Sequence, residues 1–255
     1  MISVYLQGGL GNFMFQIAAC ASIAKEHGDE YIICDRGNYI VHKNLDAYKD
    51  NIFRKIPIVD YSGEYRVYNE PNFTYDKLIY SENMKLHGYF QSEKYFTDTK
   101  FIRELYSPRD TDIEYILDKY YDVFTTTICS IHVRRGDYLK LQEHHPVCDM
   151  NYYQKAMKLM PKGCRFLVFS DDIDWCKENF IDGDFIFISG EPDFIDLYMM
   201  SICDNNIIAN SSFSWWGAWL NKHPNKIVVA PTNWFGPAKN GLSTKDLIPP
   251  TWIQI

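Results

Sequence analysis

Apolar and polar positions follow two regimes along this chain. From residue 126 onward, short apolar runs alternate with amphipathic stretches. The runs predict strands at 128–133 (ICSIHV), 165–170 (RFLVFS), 184–189 (DFIFIS), 204–209 (DNNIIA) and 226–230 (KIVVA). The stretches between them predict helices. NYYQKAMKLM at 151–160 is stopped by Pro161 and Gly163, and DDIDWCKENF opens with Asp171 or Asp172 near a helix start. A third helix spans 192–203, with Pro192 early, where its missing N–H does no harm. The fourth, FSWWGAWL, is introduced by NSS. Such alternation predicts a parallel sheet covered on both faces.

The first half is less regular. ISVYL at 2–6 reads as a strand, QGGLGN as a glycine turn, 13–26 as a helix ending near His27-Gly28, and EYIIC at 30–34 as a second strand. This is a β-loop-α-β opening. From 35 to 125 the pattern weakens, punctuated by Pro57, Pro71 and Pro108, with one helix after Pro108 that Asp112 is placed to cap. The expected boundary lies at 120–127. It separates an α/β domain over 1–125 from a Rossmann-like α/β domain over 126–255, the two facing a cleft.

Composition narrows the function classes. The 255 residues are 46% hydrophobic and 23% charged, ordinary values for a globular chain without wholesale disorder. A net charge of -7 argues against a non-specific nucleic-acid binder and makes any local basic cluster stand out. The 7 cysteines form no C-x-x-C pair, so neither a disulfide framework nor a zinc site is signalled. Free thiols fit a reducing cytosol, and a cytoplasmic location is the expectation. The N-terminus lacks the basic region of a signal peptide, and no stretch reaches about 18 consecutive apolar residues. Peripheral contact with the inner face of a membrane stays open, as does the oligomeric state.

The chemistry gathers at the ends of the predicted strands, where parallel sheets hold ligands. HVRRGDY follows the first strand of the second half, with Arg134 and Arg135 adjacent. Two neighbouring guanidiniums repel each other unless anionic groups meet them, and their forked donors suit carboxylate or phosphate. Alternation in extended chain turns them apart, so one reaches a ligand phosphate while the other pairs with Asp137 or another acid. A surface ion-pair network is the rival reading. His132 either orients an arginine or is a core histidine. Asn210, Ser211, Ser212 and Phe213 form a strand-to-helix junction suited to an anion or to plain helix capping. Ser170-Asp171-Asp172 could hold a divalent cation, cap a helix or meet a ribose or base; two arginines reduce the need for a metal, and none is expected. Gly8-Gly9-Leu10-Gly11-Asn12 is neither a dinucleotide fingerprint nor a P-loop. Asn12 and Gln16 share one helical face and serve either a cleft or the helix start. Trp215, Trp216 and Trp219 read as packing. No G-x-S-x-G, H-E-x-x-H or paired-cysteine motif supports a hydrolase.

Taken together, GGLGNFMFQ at 8–16, HVRRGDY at 132–138, FSDD at 169–172 and NSSFSWWGAWL at 210–220 resemble the alpha-1,2-fucosyltransferases of glycosyltransferase family 11. The arginine motif is also similar to that of alpha-1,6- and protein O-fucosyltransferases. Phe13 departs from the glutamine common in GGLGNQ. The resemblance implies a GT-B-like fold of two Rossmann-like α/β domains, with the first half on the acceptor side and the second half holding the donor. It implies GDP-beta-L-fucose as donor, inverting transfer to O2 of a terminal beta-galactose in an oligosaccharide or surface polysaccharide, and no metal. It places His132, Arg134, Arg135 and Asp137 in the catalytic motif, with the arginines on the donor phosphates. Asp171 and Asp172 then lie near the nucleoside, and Asn210, Ser211, Ser212 and Phe213 near diphosphate and base, with Gly9 and Asn12 also on the donor. Candidate proton acceptors are Asp137, His132 and Glu191, with a phosphate oxygen of the substrate as the alternative. The rival readings are transfer of another nucleotide-linked sugar, a non-catalytic carbohydrate- or nucleotide-binding protein, and a nucleotide-dependent regulator or dehydrogenase. Acceptor choice is assigned to the loops between 35 and 110.

Overall fold

The computed structural model describes residues 1–34, 45–61 and 63–255. Part of the acceptor-loop region thus lies outside the described residues. The described chain divides into two compact units: Met1–Pro108 with Leu242–Pro249, and Arg109–Gly241 with Pro250–Ile255. The division falls ahead of the boundary expected at 120–127, and the chain crosses it more than once.

In unit 1, β1 (Ile2–Val4) leads into α1 (Leu10–His27) and β2 (Ile33–Cys34), followed by β3 (Ile58–Val59), β4 (Arg66–Asn69), β5 (Met84–His87) and α2 (Thr99–Leu105). β1, β5 and β4 form a parallel three-stranded sheet in that order, and β2 pairs with β3. α1 begins three residues earlier than the apolar pattern predicts. Gly9 takes its N-cap position, and Gly11 and Asn12 join the first turn. From Leu10 to Ala24 it is almost wholly apolar on every side and buries all round, while Lys25, Glu26 and His27 of its last turn are exposed. Its end is as expected: Gly28 adopts φ 64°, and the Asp29 N–H returns to the Ala24 carbonyl. β3, β4, β5 and α2 were not legible, because they are short, β3 and β4 carry half-exposed residues, and β5, though mostly buried, sets a lysine between its two apolar residues.

Unit 2 contains α3 (Asp110–Lys119), β6 (Ile128–Val133), α4 (Met150–Met157), β7 (Arg165–Ser170), α5 (Ile173–Asn179), β8 (Phe185–Ile188), α6 (Asp193–Ile202), β9 (Asn205–Ile207), α7 (Ser212–Leu220), β10 (Val228–Ala230) and β11 (Ile253–Gln254). All five predicted strands are present. A sixth, β11, closes one edge, giving the order β11-β10-β9-β6-β7-β8 with every pair parallel. β6 is interior and buried at all six positions, which explains its unbroken run ICSIHV. Asparagines are poor strand formers. Asn206 is tolerated in β9 because its amide nitrogen reaches Ser130 Oγ and the Met200 carbonyl, while its amide oxygen accepts from Asn221.

Helix ends show where sequence signals were misassigned by a residue or two. α3 starts at Asp110 behind Arg109, so Asp112 is not the cap. It is the acid of the first turn and reaches back to accept from the Arg109 N–H at 3.0 Å. Pro192 precedes α6 as its N-cap, outside the helix. α7 is buried along nearly its whole length. Trp215, Trp216 and Trp219 pack against one another, and Trp252 joins them. The packing role read for these tryptophans is what the structure shows. Truncating one such side chain to Ala costs about 3–5 kcal/mol. None of the seven cysteines, all of them among the described residues, is in a disulfide. Among the described residues no helix is long and apolar enough to cross a membrane.

Candidate functional site

β6 delivers the arginine loop at the carboxyl edge of the unit 2 sheet. The two guanidiniums diverge, as alternation predicts. Arg134 donates to Asp137 at 2.7 Å and pairs with Asp171 at 3.0 Å, and its guanidinium lies 5.4 Å from the centre of the Tyr138 ring. Arg135 donates through Nε to Asp172 at 2.9 Å and stacks on Trp175, 3.9 Å from the ring centre. The Arg135 backbone N–H is held by Asp171 at 2.9 Å. Three carboxylates therefore meet two guanidiniums, and the cluster is not the bare positive charge that two adjacent arginines suggest. Among the described residues Arg135 makes no hydrogen bond through its two terminal nitrogens, and Trp175 stacks on the plane of the fork. Gly136 makes the cluster sterically feasible: a Cβ there would lie 2.5 Å from Asp171 Oδ2.

Asp171 and Asp172, one motif in the sequence, do different things. Asp171 braces both arginines. Asp172 holds Arg135 and also caps α5, accepting from the Trp175 N–H at 3.4 Å. Among the described residues no group of three or more His, Cys, Asp or Glu is arranged to hold a metal.

His132, Asn210 and the start of α7 lie beside the arginine loop in the same unit. His132 is 5% exposed, and its ring packs 5.4 Å from that of Phe213. Burial, with the Arg134 charge as a smaller cause, pushes its pKa down to about 3. It is a neutral imidazole at ordinary pH, and its buried Nδ1 has no hydrogen-bond partner among the described residues. Ser211 occupies the N-cap position of α7 but makes no side-chain capping bond, so plain capping does not account for it. Ser212 and Phe213 form the first turn, where backbone N–H groups face outward along the helix axis. Asn210 is fully engaged by the protein. Its amide nitrogen bonds the Pro146 and Trp234 carbonyls, its amide oxygen meets the Cys148 thiol, and its carbonyl accepts from Tyr138. Asn210 ties the loop after the arginines to the segment after β10. A second tie was not foreseen: His145 stacks on Tyr138 and accepts from Lys239 at 3.0 Å, its pKa pushed down to about 4 mainly by burial.

Gly9 and Asn12 belong to unit 1. Gly9 precedes α1, and the Asn12 amide oxygen accepts from Gln91 at 2.7 Å. Gln16, which shares one helical face with Asn12, is fully buried. Both ends of its amide bond the Gln7 backbone, at 3.0 and 3.1 Å, which is the satisfied helix-start alternative.

The profile of glycosyl transferase family 11 matches residues 1–255. The chain belongs to glycosyl transferase family 11. An alpha-1,2-colitosyltransferase of Escherichia coli is 33% identical over 98% of this family 11 chain and 97% of its own length. The O-antigen biosynthesis glycosyltransferase WbnK of Escherichia coli is 31% identical, over 98% and 99%. A galactoside alpha-(1,2)-fucosyltransferase 1 of Bos taurus is 36% identical over 37% of this chain and 29% of its own. Among solved structures, NodZ alpha-1,6-fucosyltransferase soaked with GDP-fucose aligns with a TM-score of 0.56 at 17% identity, over 86% of this chain and 92% of that one. The fold of the family 11 chain is thus that of the GT-B-type fucosyltransferases.

For a glycosyltransferase, the proton acceptors matter next. Glu191 does not join the arginine loop. Its carboxylate takes hydrogen bonds from Lys119 at 2.5 Å, Tyr120 at 2.7 Å and Tyr115 at 3.0 Å, tying the α3 region to the segment before α6. Burial pushes its pKa up, and these donors more than offset that, leaving it below the usual carboxylate range. Asp137 is held by Arg134, and His132 is a weak base. Trp175, His145 and Lys239 are side chains packed around the arginine loop that were not anticipated. The aromatic three residues after Asp172 was the available signal for Trp175. His145 and Lys239 are far apart in sequence and carried none.

Proposed function

We propose that the chain is an inverting alpha-1,2-fucosyltransferase that moves L-fucose from GDP-beta-L-fucose to O2 of a terminal beta-galactose in an oligosaccharide or surface polysaccharide. The family match over residues 1–255 carries the reading. The arginine loop and the start of α7 support it chemically. Cleavage of the donor C1–O bond builds negative charge on the GDP β-phosphate. The terminal nitrogens of Arg135 and the N–H groups at the start of α7 are donors for that charge, and they act more strongly on the transition state than on the ground state. Asp137, Asp171 and Asp172 hold the guanidiniums in place, so little reorganisation is needed as the charge develops. The acceptor O2 attacks from the opposite sugar face. With His132 neutral and buried and Glu191 bound to Lys119, its proton passes late, to Asp137 or to a phosphate oxygen.

A second reading, colitosyl transfer, is favoured by the colitosyltransferase relative that spans nearly the whole chain. Colitose is fucose without its 3-hydroxyl, so the same clamp on the nucleotide serves both. Free GDP is measured with lactose plus GDP-fucose, GDP-colitose, GDP-mannose or UDP-sugars, and the product linkage is then determined. GDP release from GDP-fucose with an α-1,2 product is the expected result. Turnover of GDP-colitose alone replaces the donor, and binding without turnover of any donor returns the protein to the non-catalytic class.

A further inference from the structure

The carboxyl edge of the unit 1 sheet carries a construction that the arginine loop does not use. β5 ends at His87 and continues as Gly88-Tyr89-Phe90-Gln91. Phe90 is fully buried and has φ 52°, a conformation rarely taken by a bulky residue and met mostly where surrounding structure enforces it. Here Glu70, just past β4, enforces it. One of its carboxylate oxygens accepts from the Tyr89 N–H at 2.7 Å, and both accept from the Phe90 N–H at 3.1 Å. Tyr95 Oη donates to the same group at 3.4 Å. Gly88 permits the approach, since a Cβ there would lie 2.4 Å from Glu70 Cβ. On the other side, Gln7 donates to the Gly88 carbonyl, Gln91 to Asn12, and Ser92 to the Asp246 carbonyl.

Everything around Tyr89 is therefore pinned, while its own side chain is not used. It is 39% exposed and makes no hydrogen bond, ring contact or cation contact with the described residues. A single exposed tyrosine says little. An exposed tyrosine whose backbone is fixed by a partly buried carboxylate, at the strand ends where parallel sheets hold ligands, is a preorganised contact. Its neighbours Gln7, Asn12 and Gln91 are neutral amides. A flat aromatic face among amides matches a pyranose, which offers an apolar C–H face rimmed by hydroxyls.

We infer that Tyr89 is the residue on which the acceptor sugar stacks, with Glu70 the positioning residue that aims it. The inference rests on the transferase reading above and adds to it the acceptor-contacting side chain and its brace.

The test measures binding of β-galactoside-terminated oligosaccharides (lactose, N-acetyllactosamine, lacto-N-biose) to the whole protein in the presence of GDP, by calorimetry and saturation-transfer NMR. Tyr89→Ala should weaken glycan binding about tenfold, the scale of a lost aromatic contact. Tyr89→Phe should stay within about twofold of the wild type, since stacking survives without the hydroxyl. Glu70→Gln should raise Kd about threefold or more through misplacement of Tyr89. GDP affinity should stay within about twofold throughout, a split that general loss of structure does not produce. Equal glycan binding by the wild type and Tyr89→Ala overturns the inference, as does wild-type protein that binds none of these glycans. A wrong donor assignment shows up separately, as absent GDP release from GDP-fucose while the binding differences persist.

Discussion

The two sheets end in chemically opposite ways. At the carboxyl edge of the unit 2 sheet, two guanidiniums are set among three aspartates, stacked on Trp175 and Tyr138. At the carboxyl edge of the unit 1 sheet, the side chains reaching across strands are amides: Gln7, Gln16, Asn12 and Gln91. The acid there, Glu70, is turned onto backbone N–H groups and not onto a cation. A departing diphosphate needs fixed positive donors held in advance, because charge appears suddenly in the transition state. A neutral sugar needs shape and hydrogen bonds, and a guanidinium beside it would bring only desolvation. The contrast matches the proposed roles of the two edges, the arginine loop for the nucleotide and the amide-rich edge for a sugar.

The largest effect should come from removing the charged edge's unspoken-for donors. Arg135→Ala is expected to raise the barrier by about 2–4 kcal/mol, a loss of roughly 30- to 1000-fold in turnover. Arg135→Lys should recover little, since an ammonium keeps the charge but neither the fork nor the stacking on Trp175. Steady-state GDP release checks both, with near-UV circular dichroism to show the fold intact. Near-normal turnover in folded Arg135→Ala protein would remove the charged edge from the chemistry. Gly136→Ala tests positioning within the same edge. Its Cβ must displace Asp171, which braces both arginines. Turnover should fall roughly ten- to hundredfold with a nearly unchanged thermal midpoint. An equal loss of stability and activity would make Gly136 a folding requirement only.

The same contrast explains what could be read from the sequence. The unit 2 strands were legible because β6 and its neighbours are buried on both faces and therefore form unbroken apolar runs. Unit 1 was opaque between 35 and 110 because its strands are only two to four residues long, β3 and β4 are largely exposed, and Glu70 carries no motif. It acts on residues about twenty positions away, through a backbone angle at Phe90 that no periodicity encodes. The divergence of the two arginines was legible in the sequence, but the electrostatics around them were not. Asp137 was recognised as a partner of one arginine, whereas Asp171 and Asp172 are brought in by the pairing of β6 with β7. Sequence distance hid the neutralisation.

Buried acids extend the comparison to stability. Glu70 has its carboxylate satisfied by N–H donors, whereas Asp196 in α6 has a buried Oδ1 with no partner among the described residues and lies near Glu191 and Asp193. Burial chiefly, then those two charges, raises its pKa to about 8. In the unfolded chain the same acid ionises near its ordinary value, about 4. Below that pH both states hold the proton and nothing is lost. As pH rises from about 4 to 8 the unfolded state releases the proton and the folded state does not, so stability falls across that window and then levels off. Asp196→Asn removes the titration. It should be more stable than wild type by roughly 1–3 kcal/mol at pH 8.5 and show a smaller gap at pH 5, measured by urea unfolding. A gap that does not change with pH would mean that Asp196 is ionised in the folded protein.

The smallest expected effect concerns metal. A nucleotide diphosphate can be neutralised by a divalent cation or by guanidiniums and helix N–H groups, and the charged edge offers the second set. Asp171 and Asp172, the carboxylates best spaced for a cation, are each bound to an arginine. For either to coordinate a metal it would have to release a guanidinium, which would leave two positive groups and a cation competing for the same diphosphate. Turnover should therefore stay within about twofold of its untreated value in EDTA and be insensitive to added Mg²⁺ or Mn²⁺. Strict dependence on either ion would show that the aspartates leave the arginines during the reaction. The charged edge would then work through a metal bridge, and Arg135→Ala should cost far less than a donor on the β-phosphate is worth.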